Sequence, residues 1–137
     1  MKKGIDTIGV FVSAILHDGE GNILMVRRAG DARDNRGHWD FGGGSVEHGE
    51  SFEYAIVREI TEEYGTAPYD LKLVDTREFI DGNGHWVGIF FVGKIDREKV
   101  YIAEPVYDKL DWFTLDTLPE PMMPGDREYI DGYVKQF

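Results

Sequence analysis

At 137 residues, with 42% apolar and 30% charged side chains, the chain has the size and composition of one folded domain, which excludes a disordered segment and a membrane-spanning bundle. Its formal net charge of −11 argues against a nucleic-acid polymer or an anionic membrane as partner, because both are gripped chiefly by Lys and Arg. With no cysteine there is neither a disulfide framework nor a thiol nucleophile, which fits a cytoplasmic protein.

No targeting signal is legible at the start. Met1-Lys2-Lys3-Gly4 is basic, but residues 8–16 are interrupted by Gly9 and Ser13 and read as a strand rather than a signal-peptide core. Residues 8–17 and 23–28 are rich in apolar and β-branched side chains. The turn cluster Asp18-Gly19-Glu20-Gly21-Asn22 between them predicts a hairpin. Residues 29–40 form a polar loop that leads into Phe41-Gly42-Gly43-Gly44. Residues 51–64 have helical composition and stop at Gly65. On that helix Ile56, Val57, Ile60 and Tyr64 share an arc that should face a core. Two long strands follow, 71–80 and 85–96, joined by the tight turn Asp81-Gly82-Asn83-Gly84. A short strand over 109–113 and a helix over 126–136, with Tyr129, Ile130 and Tyr133 on one face, complete the chain. Strands on both sides of one helix, with a second helix at the end, predict an α/β fold whose mixed sheet is covered on its faces.

The helix over 51–64 also places Glu59, Glu62 and Glu63 within roughly one 100° arc. Like charges at these spacings cost a helix a few tenths of a kcal/mol each. A compensating cation is the economical explanation, and carboxylates without competing nitrogen or sulfur ligands suit Mg2+ or Mn2+. The glycine run just before the helix has a use beside such carboxylates, since backbone without side chains can approach a metal and a phosphate closely.

The spacing of Gly44, Glu50, Arg58, Glu59, Ile60, Glu62, Glu63 and Gly65 resembles the signature of the Nudix hydrolases. Two positions depart from it. Thr66 stands where the family usually has an aliphatic residue, and Gly42 where it more often has proline, which implies a less rigid loop. The resemblance extends to Val26-Arg27-Arg28-Ala29 before the motif and to the segment from Trp112 to Pro119 after it. It implies an α/β/α sandwich in a single domain over residues 1–137. It also implies Glu59, Glu62, Glu63 and the Gly44 carbonyl as ligands of Mg2+ or Mn2+, with Arg58 and Glu50 pairing to hold the carboxylates. Gly43, Gly44 and Arg28 would bind the diphosphate. Arg27 and Arg28 point to opposite faces of a strand, so only one can reach the site. An acidic residue after the motif would complete the metal site or act as base, with Glu104 the first choice and Asp108 the second. Trp39, Phe79 and Trp86 could stack a base, against the plainer reading that they are core.

The function so implied is metal-dependent pyrophosphohydrolysis of a nucleoside diphosphate linked to another group, as in a nucleoside triphosphate or a nucleotide sugar. The expected partner is a small nucleotide, with no nucleic-acid polymer and no membrane, and with a homodimer left open. The main rival is a non-catalytic Nudix-fold module that senses a nucleotide, although all the carboxylates are retained. An isomerase of isoprenoid diphosphates relies on a cysteine that this chain lacks. A calcium-buffering domain leaves the arginine and glycines unexplained. Asparagines occur only at positions 22, 35 and 83, and Pro121-Met122-Met123-Pro124 stands near the place of the asparagine with which MutT-like relatives read oxidised guanine. Weak selection for that base is therefore expected, with Asp126 and Asp40 the first residues to examine if it proves strong.

Overall fold

The two apolar runs near the start of the chain alternate between two cores, and that places both at the centre of one sheet. The computed structural model describes residues 1–30, 32 and 34–133. Its strands are β1 (Gly9–His17), β2 (Ile23–Arg28), β3 (Trp39–Asp40), β4 (Gly42–Ser45), β5 (Tyr69–Asp81), β6 (Gly84–Lys94) and β7 (Tyr107–Phe113). Its helices are α1 (Phe52–Tyr64) and α2 (Asp126–Tyr133). Val12, Ala14 and Leu16 of β1, with Leu24 and Val26 of β2, pack with Ile56, Ile60 and Tyr64 of α1. The intervening Ile15, Ile23 and Met25 pack on the other face with Phe90, Tyr129 and Ile130. One helix thus covers each face, as the α/β/α expectation requires.

The strand order is β3-β2-β1-β6-β5, with β4 also paired to β1 and β7 to β2. β1 runs parallel to β6 from Gly9↔Trp86 to His17↔Lys94, and the other pairings are antiparallel, so the sheet is mixed.

The predicted hairpin of β1 and β2 is short, with only Leu16↔Leu24 and His17↔Ile23 in register. Beyond those pairs β4 takes the edge of β1, from Ala14↔Gly42 to Phe11↔Ser45. The glycine run is therefore a strand and not a loose loop. A Cβ on Gly43 would lie 2.0 Å from the Val12 carbonyl oxygen, so only glycine permits this approach. Within the predicted loop over 29–40, Trp39 and Asp40 pair with β2, because the Trp39 ring is buried edge-on against Phe113, centroids 5.1 Å apart. β5 and β7 each begin two residues before their predicted starts, and β6 ends two residues early. The turn between β5 and β6 closes at Asp81↔Gly84 as expected. The end of the predicted C-terminal helix, 134–136, and the Tyr133 side chain lie outside the described residues.

α1 is capped at both ends. The Ser51 hydroxyl accepts the Tyr54 N–H, and Gly65 stops the helix in the left-handed conformation at φ 74°. Ala55, Ile56, Ile60 and Tyr64 form its buried stripe, while Val57 is only half-buried. Full burial of Ile56 and Ile60 contributes about 2 kcal/mol each. No helix among the described residues is long and apolar enough to cross a membrane.

Candidate active site

β4 lies against α1, and its missing side chains decide how closely the two approach. A Cβ on Gly42 would stand 2.7 Å from Ile60 and the Tyr64 hydroxyl, and one on Gly44 would stand 2.4 Å from the Glu59 carboxylate. Glu59 is thereby presented to the main chain of Gly44.

Arg58 ties this corner together. Its Nε and Nη2 donate to the two oxygens of Glu50, and Nη2 donates also to the Ser45 carbonyl at 3.1 Å. Nη1 donates to Glu59 at 3.0 Å and reaches both Glu62 oxygens at 3.4 Å. Glu50 accepts the Glu47 N–H as well, at 2.7 Å. The Arg58 donors, helped by that N–H, hold the Glu50 carboxyl at about 2. A bidentate arginine with a third anchor on a carbonyl is a strut between β4, the turn after it and α1, not a loose surface pair.

The three motif glutamates meet different surroundings. Glu59 is half-buried, and burial raises its carboxyl while Arg58 lowers it; the charges of Glu62 and Glu104 raise it further. Glu62 is exposed. Glu63 is 6% exposed; its two oxygens accept the Gly43 N–H at 2.8 Å and the Tyr107 hydroxyl at 2.6 Å. Burial still pushes the Glu63 carboxyl up to about 8, against the pull of those two donors. Among the described residues no three carboxylate or imidazole groups converge into a ready-made metal cage. The shared arc of the helix is real, but tertiary contacts turn Glu63 inward and leave Glu62 in solvent.

A cavity of about 620 Å³ reaches this corner at Gly43, Gly44 and Ser45. Arg28, Asp40 and Asp126 form a charged part of its wall, and Phe11, Phe79 and Trp86 an aromatic part. The Phe11 ring lies 5.9 Å from Phe79 and 6.4 Å from Trp86, centroid to centroid. Of the three aromatics that could stack a base or be core, Trp39 is core, in the second cluster, and Phe11 stands in the wall beside Phe79 and Trp86.

The alternation of the strand separates the two arginines as expected. Arg28 faces the cavity and donates to the Asp34 carbonyl and carboxylate, both at 2.9 Å, and to Asp40 at 3.4 Å. Arg27 makes a bidentate pair with Asp108 at 2.8 and 3.0 Å, which engages Asp108 at an exposed position. Glu104, the first-choice acid, lies within electrostatic reach of Glu59. In the carboxyl pair of the cavity wall, burial raises both Asp40 and Asp126, and the Asp40 charge raises Asp126 further. Asp126 is thus the member that keeps a proton, while Asp40 faces Arg28. The Asp126 Oδ2 atom is buried without a protein hydrogen-bond partner among the described residues.

Arg77, Asn35 and Asn83 are among the polar residues of the wall that the sequence did not single out for the site. Arg77 enters from β5, with its guanidinium 5.8 Å over the Phe90 ring and its Nε donating to Asp75 at 2.8 Å. Strand alternation carried the signal, since Arg77, Phe79 and Asp81 share one face of β5 and all line the cavity. Asn35 and Asn83 also line it. Met123 and Pro124 line the cavity as well, so it offers both apolar contact and hydrogen-bonding groups.

A mixed sheet between two helices, with an acidic helix laid on a glycine strand at the mouth of a cavity, defines the class of fold and site. Residues 8–133 match the family model of the NUDIX domain, and the chain belongs to the Nudix family. It is similar to an RNA pyrophosphohydrolase of Teredinibacter turnerae, 33% identical over 120 residues that cover 85% of this chain and 62% of the relative. It is 30% identical over 115 residues to the NAD-capped RNA hydrolase NudC of Mycobacterium tuberculosis, covering 84% of this chain and 36% of that one. The chain thus spans less than two thirds of the length of these curated relatives. Among solved structures, a MutT NUDIX hydrolase from Burkholderia pseudomallei superposes with a TM-score of 0.82 at 30% identity, over 93% of this chain and 98% of the other.

Proposed function

We propose that the chain is a single-domain hydrolase that uses Mg2+ or Mn2+ to cleave a nucleoside diphosphate linked to another group, by attack of water at phosphorus. The observation that carries this reading is the placement of Glu59 against Gly44, locked by Arg58 and Glu50, where a cavity holding Arg28 meets the motif. The donors gathered there are carboxylate and carbonyl oxygens, the set that suits a hard divalent cation. Glu59, Glu62, Glu63 and the Gly44 carbonyl would hold it, and Glu104 would complete the site or take the proton of the attacking water. When bound, such an ion neutralises phosphoryl oxygens and makes water a better nucleophile.

The protein's own groups do the rest. Arg58 and Glu50 keep Glu59 in one orientation. Arg28 meets the diphosphate, and the bare backbone at Gly43 and Gly44 lets it come close. Phe11, Phe79 and Trp86 give the base a stacking surface. The full set of motif carboxylates favours turnover over a binding-only sensor. The relatives named for RNA ends extend the candidates to capped or triphosphorylated RNA. The net charge of −11 favours a small nucleotide over a polymer, and a cysteine-free nucleotide hydrolase fits the cytoplasm.

Incubation with Mg2+ and a panel of nucleoside triphosphates, nucleotide sugars and 5′-capped or triphosphorylated oligonucleotides, with products identified by mass, tests this. A nucleoside monophosphate released together with pyrophosphate or a sugar phosphate is the expected result. Faster turnover of the oligonucleotides would move the substrate to RNA ends. Tight binding without cleavage would make the chain a sensor.

A further inference from the structure

Tyr107 stands outside the motif, 44 residues from Glu63, yet it is the side chain that closes the inner end of the motif helix. It is buried at the first position of β7 and lines the cavity beside Gly43 and Gly44. Its hydroxyl donates to Glu63 Oε2 at 2.6 Å, while the other Glu63 oxygen takes the Gly43 N–H at 2.8 Å. The main chain of the same region is tied down as well. The Ala103 N–H donates to the Glu63 carbonyl at 2.9 Å and the Tyr101 N–H to the Tyr64 carbonyl at 3.1 Å, while the Tyr107 N–H closes a turn onto the Glu104 carbonyl at 3.4 Å. Among the described residues, the segment that carries Glu104 is therefore fixed to the motif helix by three hydrogen bonds, two from its main chain and one from the Tyr107 hydroxyl.

We propose that Tyr107 is a positioning residue, whose hydroxyl sets the orientation of the Glu63 carboxylate and couples it to the turn that carries Glu104. The physical reason is the rarity of donors at this place. A buried carboxylate needs its lone pairs satisfied, and a donor removed there is not replaced by bulk water. With the hydroxyl gone, Glu63 keeps only the Gly43 N–H and is free to turn about its last torsion. That loosens the carboxylate which the proposed function places at the metal. The Tyr107 ring belongs to the first core, so the hydroxyl and the ring serve separate purposes and can be separated by substitution.

The inference rests on the metal-dependent reading above. Its test uses the full chain as wild type, Tyr107→Phe, Glu63→Gln and the double variant. Four quantities are measured: kcat and KM for a nucleoside triphosphate, Mn2+ affinity by titration calorimetry, and the metal-free melting temperature. Tyr107→Phe keeps the ring, so the melting temperature should remain well above the assay temperature. Removal of a group that orients a metal ligand costs about 10- to 100-fold in affinity or activity. We expect kcat to fall and Mn2+ binding to weaken on that scale, with KM changed less than about twofold. In the Glu63→Gln background the same substitution should cost almost nothing more, because the hydroxyl acts through Glu63. Unchanged kcat and Mn2+ affinity in Tyr107→Phe would overturn the inference alone, as would full additivity in the double variant, or a loss that only tracks unfolding. Wild-type protein with neither Mn2+ binding nor turnover would overturn the functional reading and the inference with it.

Discussion

Gly44 and Glu59 are in such close contact that a methyl group on the glycine would stand 2.4 Å from the Glu59 carboxylate. The missing side chain is what lets the glycine strand lie against the motif helix at the cavity mouth. Gly44→Ala should therefore displace Glu59 and lower kcat by about 10² or more, the scale for losing a strong electrostatic contact. The melting temperature should fall modestly, since the half-buried carboxylate can swing toward solvent. Steady-state kinetics beside a thermal melt would check it, and wild-type kcat in the alanine variant would contradict it.

Metal removal is the second test. Activity should vanish in excess EDTA and return with Mg2+ or Mn2+, because the carboxyl groups of Glu59, Glu62 and Glu63 cannot neutralise an anionic substrate unless a cation stands between them and it. Either ion should also raise the melting temperature, as any ligand of the folded state must. Turnover that persists in chelator would count against the metal assignment.

Glu104→Gln should cost more activity than Asp108→Asn. The Glu104 charge reaches Glu59, whereas Asp108 is engaged in its bidentate pair with Arg27 at an exposed position. An exposed pair of this kind is screened by solvent and contributes little, so Asp108→Asn should barely change stability or rate. The opposite order in kcat would return the assignment to Asp108.

The buried pair Asp40 and Asp126 predicts a pH dependence of stability. Burial, and then the Asp40 charge, raise Asp126 in the folded state, so above the ordinary aspartate value of about 4 the folded protein binds more protons than the unfolded chain. Stability therefore falls as pH rises through the interval between the unfolded and folded values of Asp126. Asp126→Asn stays neutral throughout and should flatten that slope. Melting temperatures of both proteins from pH 5 to pH 9 would show the two curves diverging, and parallel curves would rule the pair out as their source.

Much of the molecule could be read from local pattern, because the physical causes are local. Ser51 and Gly65 bound α1 through capping chemistry within a few residues, and Ile56, Ile60 and Tyr64 mark its buried face by helical period. The motif spacing from Gly44 to Gly65 placed the chain in its family before any contact was known. Strand alternation alone assigned Arg27 and Arg28 to opposite faces, and Arg28 does line the cavity. What tertiary structure decided is which groups meet across long separations. The pairing of Gly42–Ser45 with β1 depends on the close approach of the Val12 carbonyl, which no local propensity for a glycine run announces. Trp39 by its sequence could be core or a stacking residue, and packing against Phe113 in a strand pair with β2 puts it in the core. Glu59, Glu62 and Glu63 are equivalent on a helical wheel; burial and the donors on Gly43 and Tyr107 make Glu63 the inward one. A helix by itself sets only the direction of its side chains, and the desolvation and hydrogen bonds that distinguish those glutamates come from β4 and β7, laid beside them by the sheet.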